Sequence, residues 1–226
     1  MERKGKPLDG EVSLPIRWHE AHRTLTLEGE PVLTFSILWP ELLGAGFGGK
    51  RISRYYSRMA RQWSSRWEKE VYWWACLDLA EQRRQSRPFS PWSGFLKGEV
   101  AYYENGLLSL RFTGEEVRKQ QKVSRVQWGD VWKIKEGAPL PLKDLFAANR
   151  NWRKTIVQEI LRLGREEQQK GTRFFQNNWE DLAKKPPLQD YCLTQEGIEL
   201  SYPQCTIAPA VEQNPVFLLP WQPPSA

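Results

Sequence analysis

Histidine and cysteine are scarce in this chain of 226 residues, which contains two His and three Cys. His19 and His22 lie three residues apart in a strand-like run, so we expect their side chains to point to opposite faces. Cys76, Cys192 and Cys205 are too few for a disulfide framework and too scattered for a zinc site. These shortages predict no metal site, no cofactor and reduced thiols.

Long apolar runs are also lacking. The most apolar short stretch, residues 71–77, is far below the roughly 18 residues that a membrane-spanning helix needs. The N-terminus is charged, and no apolar segment of the kind found in signal peptides follows it. We therefore predict no membrane span in this chain and a cytoplasmic location for the chain as written. The cell envelope is the alternative if an anchor or leader has been removed from it.

Motifs of the common enzyme classes are absent from the sequence. It contains no His-Glu-x-x-His, no Gly-x-Ser-x-Gly and no Walker-type phosphate loop. The glycine-rich segment at residues 44–50 lacks the Gly-Lys-Ser/Thr ending of such a loop and is interpreted as a flexible turn. The adjacent acidic pairs at residues 115–116 and 166–167 lack the facing geometry of paired catalytic carboxylates, so we expect them to be solvated. We predict that the protein is not an enzyme.

Tryptophan and positive charge are abundant by contrast. The chain has 12 Trp, and its 33 Lys and Arg against 27 Asp and Glu give a formal net charge of +6. Hydrophobic residues make up 40%, which is ordinary for a globular protein and excludes wholesale disorder. The pI near 9.2 permits acidic partners such as nucleic acid, anionic lipid or wall polymers. It does not require them, because +6 is modest for this length.

Apolar residues at spacings of three and four predict two long amphipathic helices. The first covers residues 50–76 and the second covers residues 151–169. The apolar stripe of the first helix consists of Ile52, Tyr56, Met59, Trp63, Trp67, Val71 and Trp74. A shorter helix is expected over residues 175–184.

Alternating patterns bounded by Gly and Pro predict strands. They lie at residues 14–28 as two short runs, and at 32–39, 100–104, 107–112, 125–135, 189–194, 198–202 and 215–220. The Asn-Gly dipeptide at residues 105–106 favours a tight type I′ turn. In that register Tyr103 is opposite Leu108, and Ala101 is opposite Leu110.

The order of these elements predicts the fold class. Strands, a long helix, strands, a helix and strands do not alternate strictly as β-α-β units. We therefore predict an α+β fold in which mixed or antiparallel sheets carry two long amphipathic helices. Residues 1–10 are expected to be a flexible tail, residues 11–85 an N-terminal region and residues 86–222 a C-terminal region, together forming one compact unit.

The C-terminal third carries a specific run of residues. Residues 191–210 read Tyr-Cys-Leu-Thr-Gln-Glu-Gly-Ile-Glu-Leu-Ser-Tyr-Pro-Gln-Cys-Thr-Ile-Ala-Pro-Ala, and a last apolar run follows at residues 216–220. Gly197 permits the positive φ of a tight hairpin, and Ile207 is expected to point inward. The pattern is thus a strand, an acidic-Gly turn, a strand closing on Tyr-Pro, an Ile-Ala-Pro and a final strand.

This pattern resembles the end of the RsiV-like C-terminal domain family. The family includes the extracellular part of the lysozyme-sensing anti-sigma factor RsiV and a module of the peptidoglycan deacetylase PdaC. Residues 142–146 are similar to the family's lead-in to its long helix, and residues 32–39 with the following aromatic helix are similar to its small N-terminal companion region. The resemblance implies a non-enzymatic binding or sensing module with a protein or cell-wall glycan as partner.

One candidate contact surface lies on the strand at residues 125–135. Trp128, Trp132 and Arg125 would form an aromatic platform for a protein or glycan. The alternative is that these tryptophans belong to the core, since large aromatic side chains are mostly buried.

A second candidate surface lies on the first helix. Arg51, Arg54, Arg58 and Arg61 recur at spacings of three and four, and such a row would contact the phosphates of an anionic polymer such as nucleic acid. Nucleic acid is the less favoured partner. The alternative is a solvated helix back whose long arginine stems cover apolar edges.

Overall fold

A computed structural model describes residues 16–119, 122–146 and 149–221 of the chain. The predicted tail at residues 1–10 lies outside the described residues. The strands are β1 (Ile16–Leu27), β2 (Glu30–Leu42), β3 (Trp92–Glu104), β4 (Leu107–Arg118), β5 (Lys122–Lys133), β6 (Ala138–Pro139), β7 (Tyr191–Leu193), β8 (Ile198–Ser201) and β9 (Val216–Leu219). The α-helices are α1 (Gly46–Arg66), α2 (Tyr72–Arg84), α3 (Trp152–Gln169) and α4 (Trp179–Ala183).

Six strands form one mixed sheet in the order β1-β2-β3-β4-β5-β6. β2 and β3 are parallel, and every other neighbouring pair is antiparallel. The sheet runs across the boundary predicted between residues 85 and 86, because β2 and β3 lie on either side of it. A separate sheet has the order β7-β8-β9. The predicted α+β class is thus confirmed.

The first two strands are longer than the sequence pattern indicates. Two short runs are predicted over residues 14–28, but β1 is a single strand from Ile16, and residues 14 and 15 lie outside the described residues. Pro40 is predicted to close the next strand, but β2 continues through it to Leu42. Proline is tolerated there because only residues 33–37 of β2 pair with β3, so no partner on that side needs the missing N–H of Pro40.

The hairpin of β3 and β4 turns at residues 105–106, as predicted. Both residues have positive φ, at 52° and 74°. Tyr103 pairs with Leu108, which confirms the predicted register next to the turn.

A β-bulge changes the register further from this turn. Leu110 pairs with Val100, so the predicted pairing of Ala101 with Leu110 is wrong. β3 also begins well before the predicted start at Val100. Its first half is not predicted because glycines interrupt the alternating pattern there. One of them is required by packing, since a Cβ on Gly98 would lie 2.6 Å from the ring of Phe112.

The small sheet covers one face of the six-stranded sheet. Gly129 of β5 permits a close approach, because a Cβ there would lie 2.4 Å from the backbone oxygen of Tyr191. Cys192 and Glu199 point toward β4, where Glu199 accepts hydrogen bonds from Arg111. The opposite side of the small sheet packs against α3 and α4 in a second core. The layers are therefore helix, sheet, sheet and helix.

The C-terminal elements confirm the predicted pattern. β7, β8 and β9 lie within the strands expected from the sequence, and α3 covers the second long helix. Gly197 has a φ of 154° in the hairpin, and Ile207 is fully buried. The third helix is shorter than predicted, since α4 contains only five residues.

The first long helix begins earlier and ends later than predicted. α1, a π-helical turn (Trp67–Val71) and α2 follow one another without a break, so the helix extends from Gly46 to Arg84. Most of the segment interpreted as a flexible turn is therefore helical. Gly48 fits closely against the sheet edge, because a Cβ there would lie 1.9 Å from the backbone oxygen of Ile134.

The π-helical turn decides which side chains of α2 face the sheet. Eighteen residues make about five turns of a regular α-helix, so an uninterrupted helix would place Trp74 on the same side as the buried Tyr56. The additional residue in the wide turn brings Ala75 to that side instead. The prediction that Trp74 belongs to the buried stripe is wrong, since its side chain is 57% exposed.

Deleting Lys69, an exposed residue of the π-helical turn, should leave the protein folded. The deletion removes the additional residue, so the turn becomes regular α-helix while α1 and α2 keep their buried faces. We expect a melting temperature within a few degrees of the parent value, measured by circular dichroism.

Deleting Arg58 is the matched control, because it also removes one exposed basic residue from the same helix. It rotates the following turns by roughly 100° and takes Met59 and Trp67 out of the core. A large loss of stability is expected. Equal melting temperatures for the two deletions would contradict this account of the turn.

Candidate interaction surface

Trp132 lies in the core between β5 and α1. Its side chain is 6% exposed, and its indole nitrogen donates a hydrogen bond of 2.6 Å to the hydroxyl of Tyr56. That hydroxyl donates in turn to Oδ2 of Asp130 at 3.1 Å. A partner could reach little of this ring, so the placement favours the core alternative for Trp132.

Trp128 and Arg125 lie on opposite faces of β5. Trp128 is half-buried, stacks on Phe112 with ring centroids 5.2 Å apart and lies parallel to Trp63 at 6.2 Å. The backbone amide of Arg125 donates a hydrogen bond of 3.1 Å to Oε1 of Gln204 in the C-terminal region. The three side chains proposed as a platform therefore do not form one exposed surface, because alternation along the strand puts Arg125 on the face opposite to the two tryptophans and Trp132 is buried.

The acidic pairs are less exposed than predicted. Glu116 is 5% exposed and accepts hydrogen bonds from Trp67 at 2.8 Å and from the guanidinium groups of Arg66 and Arg118. Burial would raise the pKa of Glu116, but these three donors outweigh it and lower the pKa below its ordinary value. Glu167 is half-buried, and burial raises its pKa. The prediction of solvated side chains is wrong for Glu116, because strand alternation turns this residue under the helix.

Asp130 is a largely buried carboxyl group at the edge of the helix–sheet core. Burial raises its pKa, hydrogen bonds from Tyr56 and Trp128 lower it, and the negative charge of Asp190 raises it further. The result is a pKa of about 6. This is the most strongly shifted carboxyl group on the helix side of the sheet among those that the structure describes.

The histidines do not converge on a common site. They occupy positions three residues apart on β1, and His19 Nε2 lies 2.8 Å from Oε2 of Glu41 while its ring stacks on Trp39. Over residues 16–119, 122–146 and 149–221, no group of three or more His, Cys, Asp or Glu side chains is arranged to hold a metal ion.

The three cysteines form no disulfide. Cys76 and Cys192 are buried, and Cys205 is exposed. The thiol of Cys192 lies 3.4 Å from the hydroxyl of Ser109, and burial raises its pKa to about 11. A thiol with so high a pKa is mostly protonated at neutral pH and is a poor nucleophile.

The basic face predicted on α1 is exposed along its length. It consists of Arg51, Arg54, Arg58 and Arg61, which we call the arginine row. α1 contains six Lys and Arg residues and no Asp or Glu. Within the described part of the chain, no carboxylate oxygen lies within 4.0 Å of the four guanidinium groups, whereas Arg66 at the end of the same helix pairs with Glu116 and Glu70.

A second exposed feature of the same helix is absent from the sequence predictions. Trp73, Trp74 and Leu77 are 60%, 57% and 44% exposed, and we call them the tryptophan patch. A signal for it exists in the sequence, because α2 is apolar on both sides, and a helix of that kind commonly has partners on both. The periodicity assigns Trp74 to the core only because it assumes an uninterrupted helix.

None of the helices in the described ranges is long and apolar enough to cross a membrane.

Comparisons with known proteins identify the fold. No family model and no curated protein matches the chain. Two crystal structures of DUF3298 family proteins are similar to it, one from Bacteroides fragilis with a TM-score of 0.62 and one from Pseudomonas aeruginosa with a TM-score of 0.55. Each is 14% identical in sequence, and each match covers 92% of this chain and 90% of the other.

These matches define the protein as an α+β domain with the fold of DUF3298 family proteins. That family is related to the RsiV- and PdaC-like C-terminal domains, so the structural neighbours agree with the predicted resemblance at the level of fold.

The variant Asp130→Asn should be more stable than the parent protein at neutral pH. A carboxyl group with a pKa near 6 in the folded state and 3.8 ordinarily takes up a proton on folding between these values. Its contribution to stability is therefore complete below pH 3.8 and is lost as the pH rises through 6. We expect the gain of the variant at pH 7 to be at most about 3 kcal/mol, and to vanish near pH 4, measured by urea unfolding.

Asp181→Asn is the control for this prediction. Asp181 is an exposed carboxyl group whose pKa is lowered by the hydrogen bond from Lys184. Because this shift has the opposite direction, the control should gain no stability at neutral pH. A parent protein with flat stability between pH 4 and 7 would contradict the assignment to Asp130.

Proposed function

We propose that this protein is a non-catalytic binding module that holds a phosphate-bearing anionic polymer on the arginine row. The observation that carries the proposal is a line of four exposed guanidinium groups on α1, the part of the long helix that contains no acidic residue. Of the two surfaces predicted from the sequence, this is the one that the fold leaves accessible. Trp132, one of the three residues of the other surface, is buried.

Arginines elsewhere in the described chain are mostly paired with carboxylates. These pairs include Arg83 with Glu28 and Glu30, Arg111 with Glu99 and Glu199, Arg162 with Glu159 and Glu166, and Arg165 with Glu180. The arginine row differs, because its four guanidinium groups have no carboxylate partner among the described residues. Like charges three or four residues apart on a helix repel one another, so the row lowers the stability of α1 in the free protein. A bound anion would remove that repulsion.

The geometry of the row suits an extended polymer. At 1.5 Å per residue, Arg51 and Arg61 are separated by roughly 15 Å along the helix axis. Tyr55, which is 45% exposed, lies beside the row and offers an aromatic ring to a base or sugar. The contacts of the arginines are made to the phosphate backbone of a polymer, and the affinity they provide falls as the salt concentration rises.

The partner implied by the RsiV-like resemblance, a protein or a cell-wall glycan, stays a prediction. The fold of DUF3298 proteins supports the domain class behind it. A phosphate-bearing wall polymer would contact the same arginine row as a nucleic acid.

The double variant Arg54→Ala/Arg58→Ala should bind anionic polymers more weakly. Suitable probes are a fluorescein-labelled oligothymidylate, measured by anisotropy, and inorganic polyphosphate as its competitor. Each lost contact with a single strand should reduce the slope of log affinity against log salt by roughly 0.7, so the variant should be shallower by roughly 1.4.

Arg162→Ala/Arg165→Ala is the matched control, because it removes two exposed arginines that are paired with carboxylates on α3. Its affinity and salt slope should stay near the parent values. Equal losses in both double variants, or no salt-dependent binding by the parent protein, would refute the proposed function.

A further inference from the structure

We infer that the outer side of the α1–α2 helix docks on an anionic lipid bilayer, with the arginine row on the lipid phosphates and the tryptophan patch in the interfacial region. The inference rests on the proposed function, since it assigns a partner to the same arginine row. It adds Trp73, Trp74 and Leu77 to the contact.

The row and the patch lie on the same side of the molecule. The buried residues of α1, such as Tyr56, and those of α2, such as Ala75, belong to one core cluster on one face of the six-stranded sheet. The opposite side of both helices therefore points away from that core. The π-helical turn keeps the two halves in this common orientation and turns Trp74 outward.

The patch is strongly apolar for an exposed helix surface. Two adjacent indoles are more than half exposed, with Leu77 one turn away, and contiguous exposed apolar patches mark interaction sites. Its neighbouring carboxylates lie next to arginines, since Oε2 of Glu70 is 3.9 Å from Arg66 and Glu81 pairs with Arg84. An approaching negative surface thus meets arginines, indoles and carboxylates that each lie beside an arginine.

The tryptophan patch fits a bilayer better than a strand of nucleic acid. Nucleic-acid surfaces place aromatic rings among basic residues so that bases stack while phosphates pair. The tryptophan patch lies in α2, beyond the arginine row of α1, so its indoles are not interleaved with the arginines of the row. Tryptophan prefers the boundary between lipid tails and water, and arginine side chains are attracted to an anionic membrane surface. A helix lying flat on a membrane would use both.

Flotation with vesicles tests the inference. Vesicles of equal parts phosphatidylcholine and phosphatidylserine should carry the parent protein, and vesicles of phosphatidylcholine alone should not. Trp73→Ser/Trp74→Ser should reduce partitioning onto the anionic vesicles by about tenfold or more. The control Phe174→Ser/Val211→Ser removes two side chains that are 70% and 81% exposed elsewhere, and it should float like the parent protein.

Binding of oligothymidylate by the same variants separates this inference from the proposed function. Trp73→Ser/Trp74→Ser should retain parental affinity for the oligonucleotide, whereas Arg54→Ala/Arg58→Ala should lose affinity for both probes.

If the tryptophan variant floats like the parent, or if the parent does not float, the bilayer inference is overturned while the proposed function stands. If light scattering shows a parental dimer that the tryptophan variant abolishes, and vesicles are not bound, the patch is an interface between two copies and the inference is also overturned. If the arginine variant keeps parental affinity for the oligonucleotide, the proposed function fails.

Discussion

The long helix is held to the six-stranded sheet by buried tryptophan N–H groups. Each donates to an oxygen across the boundary between helix and sheet, at 2.6–2.9 Å. The pairs are Trp132 with Tyr56, Trp67 with Glu116, and Trp92 with Asp78. The helix positions of these pairs, 56, 67 and 78, are spaced evenly along it. A buried donor without an acceptor costs about 1–3 kcal/mol, so rotating the helix would cost all three bonds at once.

Fixing the rotation of the helix also determines its outer surface. Because the inner side of the helix packs on the sheet, the arginine row faces solvent. The π-helical turn rotates Trp74 out of the buried side as well. Two carboxylates of this core, Glu116 and Asp78, accept hydrogen bonds from tryptophans and cannot neutralise the arginine row. The same hydrogen bonds that stabilise the fold thus leave an uncompensated basic surface, which is the physical basis of the proposed polyanion contact.

Local patterns predicted most of the regular elements. The Asn-Gly turn, α3 and the hairpin at Gly197 follow from turn chemistry and periodicity, which involve only nearby residues. The predictions fail where a residue distant in the sequence determines the local structure or burial. Gly98 looks like a strand breaker but leaves room for the ring of Phe112, and Glu116 looks solvated but meets Arg66, which is far away in sequence. The position of the bulge at Ala101 likewise depends on the partner strand.

The amino-acid sequence by itself determined the α+β class, the two amphipathic helices and the basic character of α1, because periodicity and charge are properties of neighbouring residues. Only the tertiary structure decided that Trp132 is buried while Trp73 and Trp74 are exposed, and that the pKa of Asp130 rises to about 6. Burial and desolvation depend on which residues meet across the sheet. A single additional residue in one helical turn is enough to move a side chain from the buried face of the helix to its exposed face.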